Sequence, residues 1–399
     1  MGGDKGGRPL ARKTLRTELC DLLGIEYPIV LAGMAEHAGV ELTAAVSEAG
    51  GLGVLGALPM TPDQLDESIR EIKKRTSKPF GVDSIAPLGL VESDEPIDLR
   101  ALLSEDSGDL ARIRDYIADL GRRMGIKVPY GIKLGVNNQG FNWSPGMTKK
   151  QLEVIYEHKV PVFAAGLGSP EFMIEEAHRR GMKVMGVVGT TRQARKEASI
   201  GVDVVIAQGT EAGGHTGKVS TMPLVPQVVD AIRPTAVLAA GGIVDGRGLV
   251  AALSLGACGV WCGTAFLATP EAMSHPENKR QLLAATENDT TITKTMTGKT
   301  ARCIKNPLQE QYEKENGPIL PFPVQVLAAS ELIQYMSAED DTLKYYWTFA
   351  GQGCGLVKEL RPAKEVVKSM VEQAVQVLEE GLPSCVEWSH KAAPRRRSK

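Results

Sequence analysis

From Tyr27 onward the chain repeats one unit: a short apolar run, a glycine or polar turn, then ten or more residues with apolar positions every three or four. Short apolar runs read as buried strands and the three-four spacing as surface helices. Their alternation predicts a parallel sheet covered by helices. Eight runs qualify as strands, at 28–31, 52–55, 80–84, 162–165, 183–187, 203–207, 236–239 and 258–262. Helical spacing fills 40–49, 62–75, 170–180, 191–200 and 246–255 between them. Eight strand-helix units close into a TIM-type (β/α)8 barrel.

Two stretches break the rhythm. Residues 88–147, after the third strand, are polar and too long for an ordinary barrel loop, with one predicted helix near 110–124. Loops that follow barrel strands lie on the active-site face, so this insertion reads as a lid or a substrate-shaping subdomain. A peripheral insertion or an oligomer contact is the alternative. Beyond the eighth strand, residues 263–399 carry further helical patterns, including 363–380. The resulting division is a flexible basic N-terminus at 1–20, a barrel at 21–270, a helical region at 271–385 that completes the site, and a basic tail at 386–399.

Charge narrows the partners. With 46 basic and 48 acidic residues and a net charge of -2, no global field favours nucleic acid or an anionic membrane. Small molecules, or further copies of the chain in a homo-oligomer, are the expected partners. Arg395, Arg396 and Arg397 read as a solvated tail. Six cysteines without two-residue spacing make neither a metal site nor a disulfide scaffold, which fits a reducing cytoplasm. Cys258 and Cys262 read as small core residues on one strand face.

The candidate chemistry sits at strand ends. Gly50, Gly51, Gly53 and Gly56 precede and span a strand instead of opening a helix, so they form no dinucleotide fingerprint. Gly241 and Gly242 follow the seventh strand, and Gly263 and Thr264 follow the eighth. In this position, side-chain-free backbone lets N–H groups approach an anion, so the pair of turns predicts a phosphate site. After the sixth strand comes Gln208-Gly-Thr-Glu-Ala-Gly-Gly-His215, which puts a histidine at the barrel mouth behind two glycines. Histidine is the side chain best suited to move a proton near neutral pH. His37, just past the first strand, faces the mouth by the same logic, whereas His158, His178, His275 and His390 read as structural or merely exposed.

Taken together, Pro28-Ile-Val-Leu-Ala-Gly-Met34, Ala49-Gly-Gly-Leu-Gly53, Lys78-Pro-Phe-Gly-Val82, the Gln208 to His215 segment, Ala240-Gly-Gly-Ile243, Asp245-Gly-Arg247 and Ala350-Gly-Gln352 resemble the nitronate monooxygenase (2-nitropropane dioxygenase) family. Thr221-Met-Pro-Leu-Val-Pro-Gln227 and Thr300-Ala-Arg-Cys-Ile-Lys-Asn306 resemble equally the flavin-dependent enoyl-ACP reductases of the same superfamily. The resemblance implies an FMN-dependent oxidoreductase. Ala32, Gly33 and Met34 would border the flavin ring, Gln208, Gly213 and Gly214 would contact it, and Gly241, Gly242, Gly263 and Thr264 would hold the phosphate. Gly351 and Gln352 would return to close the site, and His215 would be the catalytic base. The family commonly has Asn where this chain has Asp83, which places a carboxylate near the flavin, and often Arg where it has Ala265. The implied reaction is oxidation of a nitronate with O2. The alternatives are reduction of an enoyl thioester, carried by ACP or CoA, with NAD(P)H, and a flavin-binding protein without turnover.

Overall fold

A computed structural model describes residues 14–86, 108–128, 145–322 and 344–386, with Val324, Gln325, Val326, Ala328, Ala329, Leu332 and Met336 between the last two segments. The expected basic tail and residues 87–107 and 129–144 of the expected insertion lie outside the described residues. Eight strands form one parallel sheet: β1 (Ile29–Leu31), β2 (Gly53–Gly56), β3 (Phe80–Ala86), β4 (Val162–Gly168), β5 (Lys183–Val188), β6 (Val204–Gln208), β7 (Ala236–Ala240) and β8 (Gly259–Cys262). Consecutive strands from β2 to β8 pair with one another, β8 pairs with β1, and a bridge from Val30 to Leu52 joins β1 to β2. The predicted barrel is the fold of this chain.

Both strand faces are apolar, as a sheet covered on its outside and filled on its inside requires. Val30, Leu52, Val54, Val204 and Ile206 fill the interior. Their neighbours Ile29, Leu31, Leu55 and Val205 pack outward against the helices. Helix termini follow local rules. Before the helix Pro62–Arg75, the Thr61 hydroxyl accepts from the Gln64 N–H at 3.2 Å while the Gln64 side chain accepts from the Thr61 N–H at 2.9 Å. Pro62 supplies the fixed φ of the first turn, and such a box contributes about 1 kcal/mol.

Three expectations change. The N-terminal arm is ordered before position 21: the helix Glu18–Leu23 buries Leu19 and Cys20 in the barrel interior. There it meets Cys258, just ahead of β8, whereas Cys262 packs in the outer shell. The two cysteines therefore lie in different layers, because the strand begins only at Gly259.

The barrel also does not end near 270. Its last helix, Ala363–Gln376, packs against the helix Gly246–Ser254 on one side and the helix Val40–Glu48 on the other, which is the eighth-helix position. Residues between β8 and that helix are an excursion, and not all of it is helical. Thr290–Thr293 and Ala301–Ile304 pair as antiparallel strands, and the second also pairs with Gly214–His215.

The two excursions meet over the mouth. Ile113, Ile117 and Leu120 of the helix Gly108–Arg123 share a hydrophobic cluster with Leu308, Tyr312 and Trp347 from beyond β8. Arg123 and Tyr116 both bind Glu315 across that seam, at 2.6 and 2.9 Å. Both excursions follow barrel strands, so the lobe they build lies on the face where barrel active sites form.

Candidate active site

Under the lobe lies a cavity of about 380 Å³, walled by strand ends below and by the excursion above. Ala32, Gly33, Met34, Asp83, Gln208, Gly213, Gly214, His215, Gly241, Gly242, Gly263 and Thr264 all line it, as does His37. Gly351 and Gln352 do not. They lie behind the wall, where the Gly351 N–H donates to the Thr264 hydroxyl at 2.9 Å and the Gln352 N–H donates to the Glu211 carbonyl at 2.9 Å. Their role is to fix the loops that face the cavity.

The loop after β6 is held from several sides. Buried Arg302 donates to the Thr210 carbonyl at 2.9 Å and to the Thr290 hydroxyl at 3.0 Å. Glu211 accepts from the Thr221 N–H at 2.9 Å, at the start of the helix Thr221–Ile232. The Gln208 side chain donates to the His215 carbonyl at 2.7 Å. Gly213 is a matter of space, since a Cβ there would stand 2.7 Å from the Ala350 carbonyl carbon.

Two contacts place the His215 ring, one to Thr297 and one to Phe322. Thr297 spends its single hydroxyl proton on the Lys299 carbonyl at 2.9 Å, and its oxygen accepts from the Lys299 N–H at 3.3 Å. The one remaining lone pair lies 3.1 Å from His215 Nε2. Nε2 therefore carries the hydrogen, and the lone pair of the neutral ring sits on Nδ1. Among the described residues no group claims Nδ1. Phe322 packs against the ring edge-to-face at 5.3 Å, and the Lys299 ammonium stands 6.0 Å from the Phe322 centroid. Burial, with the nearby Lys299 charge adding to it, lowers the His215 pKa from 6.5 to about 4. Burial also lowers the Lys299 pKa. At neutral pH the ring is uncharged.

Sequence reasoning missed Thr297, Lys299, Arg302 and Phe322. They reach the site through the pairing of Ala301–Ile304 with Gly214–His215 and the lobe beyond it, contacts that no local pattern announces. The alternation in Thr290–Thr293 was the available strand signal.

Glycines Gly241 and Gly242 have φ of +102° and +74°, the left-handed region where side chains are strained. Their turn, with Gly263, gives the cavity a stretch of bare backbone at one end. Thr264 accepts from Gly351, and its own hydroxyl proton has no acceptor among the described residues. That end suits a phosphate. At the floor, Asp83 is half-buried, and its Oδ1, turned away from solvent, has no hydrogen-bond partner, so a ligand with polar ring atoms suits that end. The residues present thus fit a flavin carrying one phosphate.

Comparison with known proteins gives the family. Residues 16–373 match the model of the nitronate monooxygenase family. A Mycobacterium tuberculosis protein described as a monooxygenase is 37% identical, over 91% of this chain and 98% of its own length. The structure of FabK from Thermotoga maritima is similar with a TM-score of 0.71 at 32% identity, covering 93% of this chain and all of that one. The nitroalkane oxidase of Streptomyces ansochromogenes gives a TM-score of 0.75 at 29% identity, over 90% and 99% of the two chains. With its barrel, its cavity and its match over residues 16–373, this chain belongs to the nitronate monooxygenase family of oxidoreductases.

Proposed function

We propose that the chain is an FMN-dependent oxidoreductase that oxidises an alkyl nitronate or a related carbanion with O2, with His215 as the general base toward a neutral nitroalkane. Gly241, Gly242, Gly263 and Thr264 would hold the phosphate, and Ala32, Gly33, Met34, Gln208, Gly213 and Gly214 would border the ring. When bound, the flavin supplies the redox chemistry, taking electrons from the substrate and giving them to oxygen. The protein's part is to orient, to hold a proton and to exclude water.

The observation that carries this reading is the state of His215. A ring with a pKa of about 4 is neutral at pH 7, so its Nδ1 lone pair is available to a substrate proton, and the weak basicity that goes with the low pKa leaves the drive for proton loss to stabilisation of the anion formed. The partly buried Lys299 ammonium beside it favours the anion that proton loss creates. As a proton donor the same ring is poorly set, because only about one molecule in a thousand is protonated at pH 7. Free buried cysteines are typical of a reducing compartment, and we assign the enzyme to the cytoplasm. Among the described residues no helix is long and apolar enough to cross a membrane.

The likeness to FabK supports a second reading, in which NAD(P)H reduces the flavin and His215 delivers a proton to an acyl-thioester product. His215→Ala tests the first reading. It should hold FMN, lose on the order of a hundredfold or more on a neutral nitroalkane, and lose much less on the preformed nitronate. Equal, small losses on both forms would remove His215 from the proton-transfer role.

A further inference from the structure

Among the described residues, Asp83 is a carboxyl at the cavity floor with no cation beside it. It stands on β3 opposite Ala164 of β4 and Gly56 of β2, at the floor of the cavity. The surrounding chain makes room for it: a Cβ on Gly33 would lie 2.0 Å from Oδ2, and one on Gly166 would lie 3.0 Å from Oδ1. No arginine, lysine or histidine pairs with it among the described residues, and Oδ1 is buried without a hydrogen-bond partner. An ionised carboxylate taken out of water with no cation is among the costliest groups a fold can contain, and such a group takes up a proton instead. Burial accordingly raises the Asp83 pKa well above its ordinary value, against a weaker opposing effect from the Gly166 N–H.

We propose that Asp83 meets the flavin ring as an un-ionised carboxylic acid, donating a hydrogen bond from the cavity floor to an acceptor on the ring. In that form Asp83 resembles an asparagine amide, with a donor and an acceptor on a planar head of similar shape, although the amide carries a second N–H donor. It places no negative charge beside the flavin. The argument rests on a flavin occupying the cavity and does not depend on which substrate the enzyme oxidises.

The test uses the flavin-loaded protein and its Asp83→Asn and Asp83→Leu variants. Asn preserves the donor, so FMN affinity should stay within about threefold of the parent. Leu leaves the ring acceptor unmatched, which should weaken binding by about tenfold or more. The midpoint potential of bound FMN should be nearly the same in Asp83→Asn as in the parent. The infrared difference spectrum between reduced and oxidised protein should show a carboxylic-acid carbonyl band that Asp83→Asn lacks. An ionised Asp83 would give no such band, and its replacement by Asn would raise the potential markedly by removing a charge next to the ring. That pair of results overturns the proposal while leaving the flavin assignment intact. A chain that takes up no flavin overturns both. The Asn variant and the infrared spectrum decide the matter even where Asp83→Leu fails to fold.

Discussion

The acid side of the pH profile gives a sharp test, because the structure moves it far from where a free histidine would put it. Proton abstraction by His215 requires the neutral ring, and kcat/KM on a neutral nitroalkane reports the ionisation of the free enzyme. With the pKa lowered to about 4, about nine tenths of the enzyme is competent at pH 5. With the ordinary value of 6.5, about 3% would be. The assay is kcat/KM between pH 4.5 and 8 with a primary nitroalkane added fresh, so that no nitronate accumulates. The same shift acts on stability. The unfolded chain protonates this ring more readily than the native one between pH 6.5 and 4, so its stabilising contribution is complete above 6.5 and is lost as pH falls through 4. The loss reaches about 2 kcal/mol by pH 5. Thermal unfolding therefore has to be followed beside the kinetics. Activity that falls tenfold or more between pH 7 and pH 5 in protein still folded would refute the reasoning.

Two substitutions probe the supports of the site. Thr297→Val removes the acceptor for Nε2–H; we expect mixed tautomers in the ¹⁵N spectrum of His215 and about a tenfold fall in kcat/KM, with Thr297→Ser restoring both. An unchanged tautomer would make Thr297 irrelevant to the ring. Gly213→Ala drives a Cβ to 2.7 Å from the Ala350 carbonyl carbon and displaces the Gly351 N–H from Thr264. We expect a cost of about 1–3 kcal/mol in thermal stability and at least tenfold weaker FMN binding by titration; parent-like values would show that the two segments do not need to touch.

Much of the fold was legible because burial on both faces writes strands as near-continuous apolar runs. All eight strands fall where those runs predict. β4 runs on to Gly168, past the expected 165, because a glycine-rich strand end reads as a turn. The cradle of the site was legible for the same reason that it works: Gly213, Gly214, Gly241, Gly242 and Gly263 sit at strand ends, where bare backbone has a purpose. The lobe was not. Its cluster joins Ile117 to Leu308 and Trp347, residues brought together only by folding. Nor was ionisation legible, since Asp83 and His215 owe their states to burial that no linear pattern records. The helix at 363–380 was expected, but its place as the eighth helix of the barrel was not, because a long excursion separates Ala363–Gln376 from β8.

The central claim is that this cavity holds a flavin that takes electrons from a nitronate. The most direct measurement is to mix the purified, flavin-loaded protein without oxygen with an alkyl nitronate, and in parallel with NADH or NADPH, and to follow the flavin absorbance. We predict bleaching by the nitronate and none by either nicotinamide. Rapid bleaching by NADH or NADPH, with the nitronate inert, would contradict the account and assign the enzyme to the reduction of an acyl thioester.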